Sequence, residues 1–206
     1  MLTLYTAKGS CSLASHIALE DAGADYQVNL VDLAAGAQQS PDYLKINPKG
    51  RVPALATDEG ILTESLAILL YIAQTHPSAK LAPLDDPFEL ARIQAFNSYL
   101  ASTVQVAHAH GRRATRWADD EAAIAEMKRK MPQVMTACFE MIETEFFKGP
   151  WVMGETYTIA DPYLFTIARW LEGDTVDPKQ FTKVYDHRCR MAERETVKKV
   201  LASYGG

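Results

Sequence analysis

Cysteine is scarce: 206 residues carry three, at positions 11, 138 and 189. No C-x-x-C pair and no cysteine–histidine clustering with metal-ligand spacing is present, so neither a dithiol redox motif nor a zinc site is indicated. An odd and sparse set fits thiols kept reduced in a cytosol better than a disulfide framework. Long apolar runs are also missing, since no stretch approaches the roughly 18 residues of a membrane span. The N-terminus lacks the basic start and apolar run of a secretory signal. The expected compartment is therefore cytoplasmic, with no membrane partner. Positive charge is in deficit, with 21 Lys and Arg against 26 Asp and Glu and a formal net charge of −5. That argues against nucleic acid as the main partner, because phosphate binding needs a basic surface. The best basic cluster, Arg112-Arg113-Ala-Thr-Arg116, reads as a solvated face.

What is present is a change of period along the chain. Residues 2–76 alternate between short strand-like and helix-like segments. Leu2-Thr-Leu-Tyr5 and Tyr26-Gln-Val-Asn-Leu30 read as strands, and 12–22 as an amphipathic helix ending at Gly23. A brief helical turn over 42–46 stops at Asn47-Pro48 and Gly50. Val52-Pro-Ala-Leu-Ala56, an Asp58-Glu-Gly60 turn and Ile61-Leu62 predict a hairpin, followed by an apolar helix over 66–75. The order β-α-β-α-β-β-α predicts a small α/β unit with a mixed sheet over 1–77. Pro77, Pro83 and Pro87 punctuate a linker over 78–87. From 88 to 206 strand signals largely stop, and 88–109, 121–147, 158–171 and 178–203 read as helical.

Three places in the α/β unit can carry chemistry. Cys11, in Ser10-Cys11-Ser12, opens a helix, where backbone N–H groups and the dipole favour a thiolate. Such a position suits sulfur chemistry, by Cys11 itself or on a thiol bound beside it. Pro53 cannot donate to a ladder, so it implies an edge or a special turn. A cis Val52–Pro53 bond would leave the Val52 main chain facing outward, free to pair with an extended peptide-like ligand. Ser65 can cap the next helix, whose free N–H groups form an anion site, and Glu64 can hold an ammonium. Read singly, Ser12 and Ser65 only cap helices, Glu64 only complements a dipole and Tyr5 is core.

Together these sites resemble the cytosolic glutathione transferases, and specifically their bacterial beta class. The matching motifs are Tyr5-x4-Ser10-Cys11-Ser12-Leu13, Ile46-Asn-Pro-Lys-Gly-x-Val-Pro-Ala-Leu55, Leu62-Thr-Glu-Ser65 and Thr158-Ile-Ala-Asp-Pro-Tyr-Leu-Phe165. The resemblance spans nearly the whole chain. It implies a thioredoxin-like domain that binds glutathione as co-substrate, without metal, and an all-helical domain for the second substrate. It also implies a homodimer. By position, Val52 pairs its backbone with the cysteinyl part of glutathione, beside Pro53, and Glu64 and Ser65 hold the γ-glutamyl end. Lys49 or Arg51 meets the glycine carboxylate, and Cys11 lies near the sulfur. Candidate donors to that sulfur are Cys11, Ser12 and the Tyr5 phenol. The acceptor site draws on Ser10 and the helix after 88, with Trp117 and Tyr163 as further contributors.

One residue departs from the pattern. Beta-class members often have a histidine in the substrate cleft after a Leu-Ala-Ser segment, where Leu100-Ala-Ser-Thr-Val-Gln105 puts Gln105. Glutamine can hydrogen-bond but is no acid or base near neutral pH. His108, three residues on, shares its helix face and is the candidate substitute. Thr158-x-x-Asp161 resembles the family's capping box and is structural. The implied activity is conjugation of the glutathione thiolate to small apolar electrophiles. Disulfide reduction through a Cys11 mixed disulfide is the alternative chemistry. A non-catalytic carrier or interaction module is the alternative of another class.

Overall fold

The computed structural model describes residues 1–205, which fall into two compact units. The first comprises Met1–Ala91 together with the residues from Ala192 onward, and the second Arg92–Met191. This division differs from the boundary expected over 78–87. The proline-rich stretch stays with the first unit, and the C-terminal helix returns to it.

In the first unit the elements are β1 (Leu2–Thr6), α1 (Ser12–Asp21), β2 (Tyr26–Leu30), α2 (Pro41–Ile46), β3 (Ala54–Thr57), β4 (Gly60–Thr63) and α3 (Ser65–Thr75). The sheet order is β2-β1-β3-β4, with β1 parallel to β2 and antiparallel to β3, and β3 antiparallel to β4. This is the mixed sheet of a thioredoxin-like unit. The hairpin begins later than the alternation suggests, at Ala54. Pro53 has no N–H for a ladder bond and so stands ahead of the strand. Because β3 lies between two neighbours, Pro53 marks a special turn and not an edge, and the Val52–Pro53 bond is cis.

Helix α1 was expected to be amphipathic, yet every residue from Ser12 to Leu19 is buried. The cause lies at the other end of the chain. Both α3 and the C-terminal helix pack on α1, so its outward face is covered as well. The segment expected as one helix over 178–203 is broken into a 3-10 turn (Pro178–Gln180), α8 (Thr182–Glu193) and α9 (Glu195–Ala202), the last two parted at Arg194 with extended ψ 133°. Arg194 and Thr196 both bond Asp21 at the end of α1, at 2.8 and 2.6 Å. Lys199 reaches Glu20 at 2.5 Å.

Helix α4 (Pro87–Tyr99) crosses from one unit into the other. The second unit continues with a π-helical stretch Leu100–Val104, α5 (Gln105–Arg112), α6 (Glu121–Met141), a second π-helical stretch Ile142–Phe146 and α7 (Ala160–Ala168). The helices expected over 88–109 and 121–147 are thus real, the first interrupted by a π-helical turn and the second ending in one. Helix α7 is buried over its whole length, as its nearly all-apolar sequence requires. The capping box forms: Thr158 N–H donates to Asp161 Oδ2 at 2.7 Å, and Ala160 N–H donates to Thr158 Oγ1 at 3.2 Å. No described helix is long and apolar enough to cross a membrane.

Candidate active site

Sheet register brings three of the four motifs together at one end of the first unit. Tyr5 faces Ala54 across β1 and β3, and Ala54 faces Thr63 across β3 and β4. The chain leaving β1 therefore runs to Cys11, the chain entering β3 carries Val52-Pro53, and the chain leaving β4 carries Glu64-Ser65, all at the same edge.

Cys11 stands at the N-cap position of α1 with helical dihedrals. Its thiol donates to the Val52 carbonyl at 3.6 Å. Val52 lies outside the β-ladder, and its N–H donates to no protein acceptor among the described residues. The peptide before it is held from behind: the Arg51 carbonyl accepts from Tyr43 Oη at 2.8 Å and Asn47 Nδ2 at 2.6 Å. Tyr43 is buried against Val52, Ala7 and Val31, and burial pushes its phenol up to about 12, helped by Tyr5 nearby. Gly50 completes the turn with φ 58°, and a Cβ there would meet Gln39 Nε2 at 2.4 Å. The turn thus favours glycine for its backbone, while the Gln39 side-chain end could shift to admit a Cβ. Tyr43 and Asn47 were absent from the sequence candidates. Asn47 sat in the Asn-Pro-Lys-Gly motif and could have been found as its buried polar member.

At the other helix, Ser65 is the first residue of α3 and not its cap. Glu64 takes the cap position with φ 72° and ψ 126°, and no side chain caps the helix. A non-glycine residue held there costs on the order of 1–3 kcal/mol, a form of strain that gathers at functional sites. As in any α-helix, the first N–H groups of α3 lack an intrahelical partner, and here no side chain caps them. The nearly buried Ser65 hydroxyl has no protein partner among the described residues. Lys49 Nζ bonds Thr63 Oγ1 at 2.7 Å and pairs closely with Glu64 Oε1. Lys49 therefore sits at the Glu64 end, whereas the Arg51 side chain is exposed.

The remaining candidates occupy other surroundings. Ser12 Oγ is fully enclosed and bonds Thr6 Oγ1 at 2.6 Å, the Ala7 N–H at 3.2 Å and the Ser10 hydroxyl. Ser10 Oγ donates to the Ala7 carbonyl at 2.8 Å. Tyr5 packs edge-on against Tyr43, with ring centroids 6.0 Å apart. In the second unit, Gln105 Oε1 accepts from the fully buried Tyr163 hydroxyl at 2.7 Å. His108 stacks on Trp170 at 4.3 Å and bonds the buried Asp174 carboxylate at 2.7 Å. Arg112 binds that same carboxylate at 3.2 Å. Trp117 is exposed and stacks on His110. Of the cysteines, Cys138 is buried and Cys189 exposed. Among the described residues no cluster of three or more His, Cys, Asp or Glu is placed to hold a metal ion.

Residues 1–74 match the glutathione S-transferase N-terminal domain, and 118–195 match the glutathione S-transferase C-terminal domain. The chain is 33% identical over 208 residues to glutathione S-transferase GstA of Escherichia coli O157:H7, with 99% of each protein covered. A glutathione transferase homologue from Sulfitobacter, solved with bound glutathione, matches with TM-score 0.95 and 44% identity over 98% of each chain. A bacterial beta-class glutathione S-transferase from Sphingomonas chungbukensis matches with TM-score 0.86 and 32% identity, again over 98% of each chain. By fold and by full-length sequence, this chain belongs to the glutathione S-transferase family.

Proposed function

We propose that the enzyme joins the thiolate of glutathione to small apolar electrophiles, with the first unit holding the tripeptide. The observation that carries this reading is the approach of Cys11 Sγ to the Val52 carbonyl, 3.6 Å. An extended peptide pairing with the Val52 main chain as an added strand brings its own cysteinyl sulfur beside Cys11, at the start of α1. The γ-glutamyl ammonium then meets Glu64, and its carboxylate meets the Ser65 hydroxyl and the open N–H groups of α3. Lys49, tied to Glu64, serves that same end. Arg51 is the cation left for the glycine carboxylate, and Pro53 keeps Val52 out of the ladder.

The energetics are sufficient. A thiol of pKa about 8.5 is only a few per cent ionised at neutral pH, and lowering it to about 6.5 takes roughly 2.7 kcal/mol. A helix N-terminus contributes about 0.3–1 kcal/mol, and one hydrogen bond to the anion about 1.5–3 kcal/mol. Cys11, by thiol or N–H, is the donor we favour. Ser12 is enclosed by Thr6, Ala7 and Ser10 and frames the loop, and Tyr5 supports the cluster beneath Val52. The thiolate then attacks the electrophilic carbon, forming the C–S bond while the leaving group departs with its electron pair. Gln105 supplies no acid or base. The enzyme acts as a cytoplasmic homodimer in this reading, as the family resemblance implies.

The same contact supports a second chemistry. Two sulfurs side by side can form a mixed disulfide, giving glutathione-dependent disulfide reduction through Cys11. Calorimetry with glutathione and a conjugation assay with chlorodinitrobenzene test the main reading. Binding that weakens in Ser65→Ala is expected. Absence of binding in the wild type overturns it in favour of a non-catalytic carrier.

A further inference from the structure

A continuous row of hydrogen bonds runs through the first unit to the loop that carries Cys11. It passes from His16 Nδ1 to Tyr204 Oη (2.8 Å), to Thr6 Oγ1 (2.7 Å), to Ser12 Oγ (2.6 Å), to Ser10 Oγ, and ends on the Ala7 carbonyl (2.8 Å). One end of the row fixes the direction of every bond in it. A carbonyl only accepts, so the Ser10 hydroxyl proton points at Ala7, and Ser10 must accept from Ser12. The Ser12 oxygen therefore accepts from Thr6, its second lone pair being taken by the Ala7 N–H. Thr6 accepts from Tyr204 in turn, and Tyr204 accepts from His16. His16 thus carries a proton on Nδ1. Burial lowers its pKa to about 4, which agrees with a single ring proton, and burial pushes Tyr204 up to about 12. Nε2 has no protein partner among the described residues.

We propose that Tyr204 is a positioning residue for the reacting sulfur: through Thr6 and Ser12 it holds the Ser10-Cys11-Ser12 turn against the end of β1. The inference rests on the reading above, in which the glutathione sulfur lies at this turn. Main-chain bonds alone hold the turn loosely. Ser10 N–H to Ala7 O and Leu13 N–H to Ser10 O are both 3.3 Å, and Ala14 N–H to Cys11 O is 3.2 Å. The side-chain row supplies the short contacts, on both residues that flank Cys11. The far end is anchored by Arg194 and α9, whose pairs Arg194–Asp21 and Lys199–Glu20 deliver Tyr204 to Thr6, 198 residues away in sequence. Displacing a reacting group by about 1 Å can cost on the order of a hundredfold in rate.

Tyr204→Phe removes the hydroxyl and keeps the ring, which meets His16 edge-on at 5.3 Å. The expected result is a fall in kcat of about tenfold toward chlorodinitrobenzene, with KM for glutathione within about twofold, because the tripeptide's ends are held elsewhere. Thr6→Val should reproduce this, Thr6→Ser should retain activity, and the Thr6→Val/Tyr204→Phe pair should be no slower than either single change. Nitrogen-15 NMR of wild-type His16 should find the proton on Nδ1. An unchanged kcat in Tyr204→Phe, a KM that rises as much as kcat falls, or a proton on Nε2 would each overturn the proposal. A wild type that neither binds glutathione nor conjugates it defeats the parent reading as well. A wild type that conjugates normally beside an unaffected Tyr204→Phe defeats this proposal alone.

Discussion

Lys49 and Glu64 form an ion pair across the start of α3, 15 residues apart in sequence. Family resemblance offers them to opposite ends of one tripeptide, Lys49 to the glycine carboxylate and Glu64 to the γ-glutamyl ammonium. The pair instead gathers both at one end. It is half exposed, with side chains 43% and 66% accessible, and such a pair contributes less than about 1 kcal/mol. Lys49→Met should therefore change KM for glutathione by less than about fivefold. Glu64→Gln, which strips the ammonium of its carboxylate, should raise KM by about tenfold or more. Steady-state kinetics decide the point. A large KM increase in Lys49→Met with no effect in Arg51→Met would return Lys49 to the glycine carboxylate.

Cys11 can donate to a neighbouring thiolate or bond to it, and the two roles part on substitution. In Cys11→Ala a loss confined to one hydrogen bond donated by the thiol should slow conjugation by about ten- to a hundredfold, the rate equivalent of about 1.5–3 kcal/mol. Disulfide reduction, if it runs through a mixed disulfide, should fall to background in the same variant. Both rates can be read on one preparation. Conjugation and reduction that are both unaltered would remove the Cys11 thiol from the chemistry and leave its N–H as the donor.

Much of the first unit was legible because its signals are local. The strand Tyr26–Leu30 follows from alternation alone, and the motifs at Cys11, Val52 and Ser65 reach one edge because the mixed sheet aligns the ends of its strands. What escaped was long-range. Nothing near Tyr204 announces Thr6, and no glycine or proline marks the break at Arg194, which extends to reach Asp21. The same docking buries α1 all round, so Ser12, Ser15 and His16, which read in the sequence as the polar face of an amphipathic helix, lie inside. In the sequence Glu64 reads only as a charge, while its left-handed backbone, φ 72°, rare for a residue with a Cβ, leaves no trace there.

Burial of His16 makes stability depend on pH. Its pKa falls from 6.5 to about 4, first through desolvation, with Glu20 opposing and Lys199 reinforcing. Tyr26 and Tyr204 pack edge-on against the ring. An unfolded chain binds the proton at a higher pH than the folded one, so acid favours unfolding. The contribution of His16 is complete above about pH 6.5 and is lost as the pH falls toward about 4. Urea midpoints measured across that range should fall more steeply for wild type than for His16→Gln. Parallel curves would assign the acid loss to other groups.

Asp161 carries more than the capping box asks of it. Its carboxylate accepts from the Thr158 N–H at 2.7 Å, as the box requires, and also from the Val152 N–H at 2.9 Å and His187 Nε2 at 3.0 Å. Asp161 and His187 are both fully buried. A cap alone is worth about 0.5–2 kcal/mol. Beyond that cap bond, removing this carboxylate strands the buried Val152 N–H and the His187 imidazole, at about 1–3 kcal/mol for each group left unsatisfied. Asp161→Ala should therefore cost more than about 3 kcal/mol, beyond the range of a simple cap. Asp161→Asn should fall between, since its amide oxygen can keep one N–H but not all three donors. His187→Phe separates the contributions: if the cap dominates, it should lose little, and if the shared carboxylate dominates, its loss should be comparable to that of Asp161→Asn. Denaturant unfolding of the three variants orders them, and a cost near 1 kcal/mol for Asp161→Ala would reduce the residue to an ordinary cap.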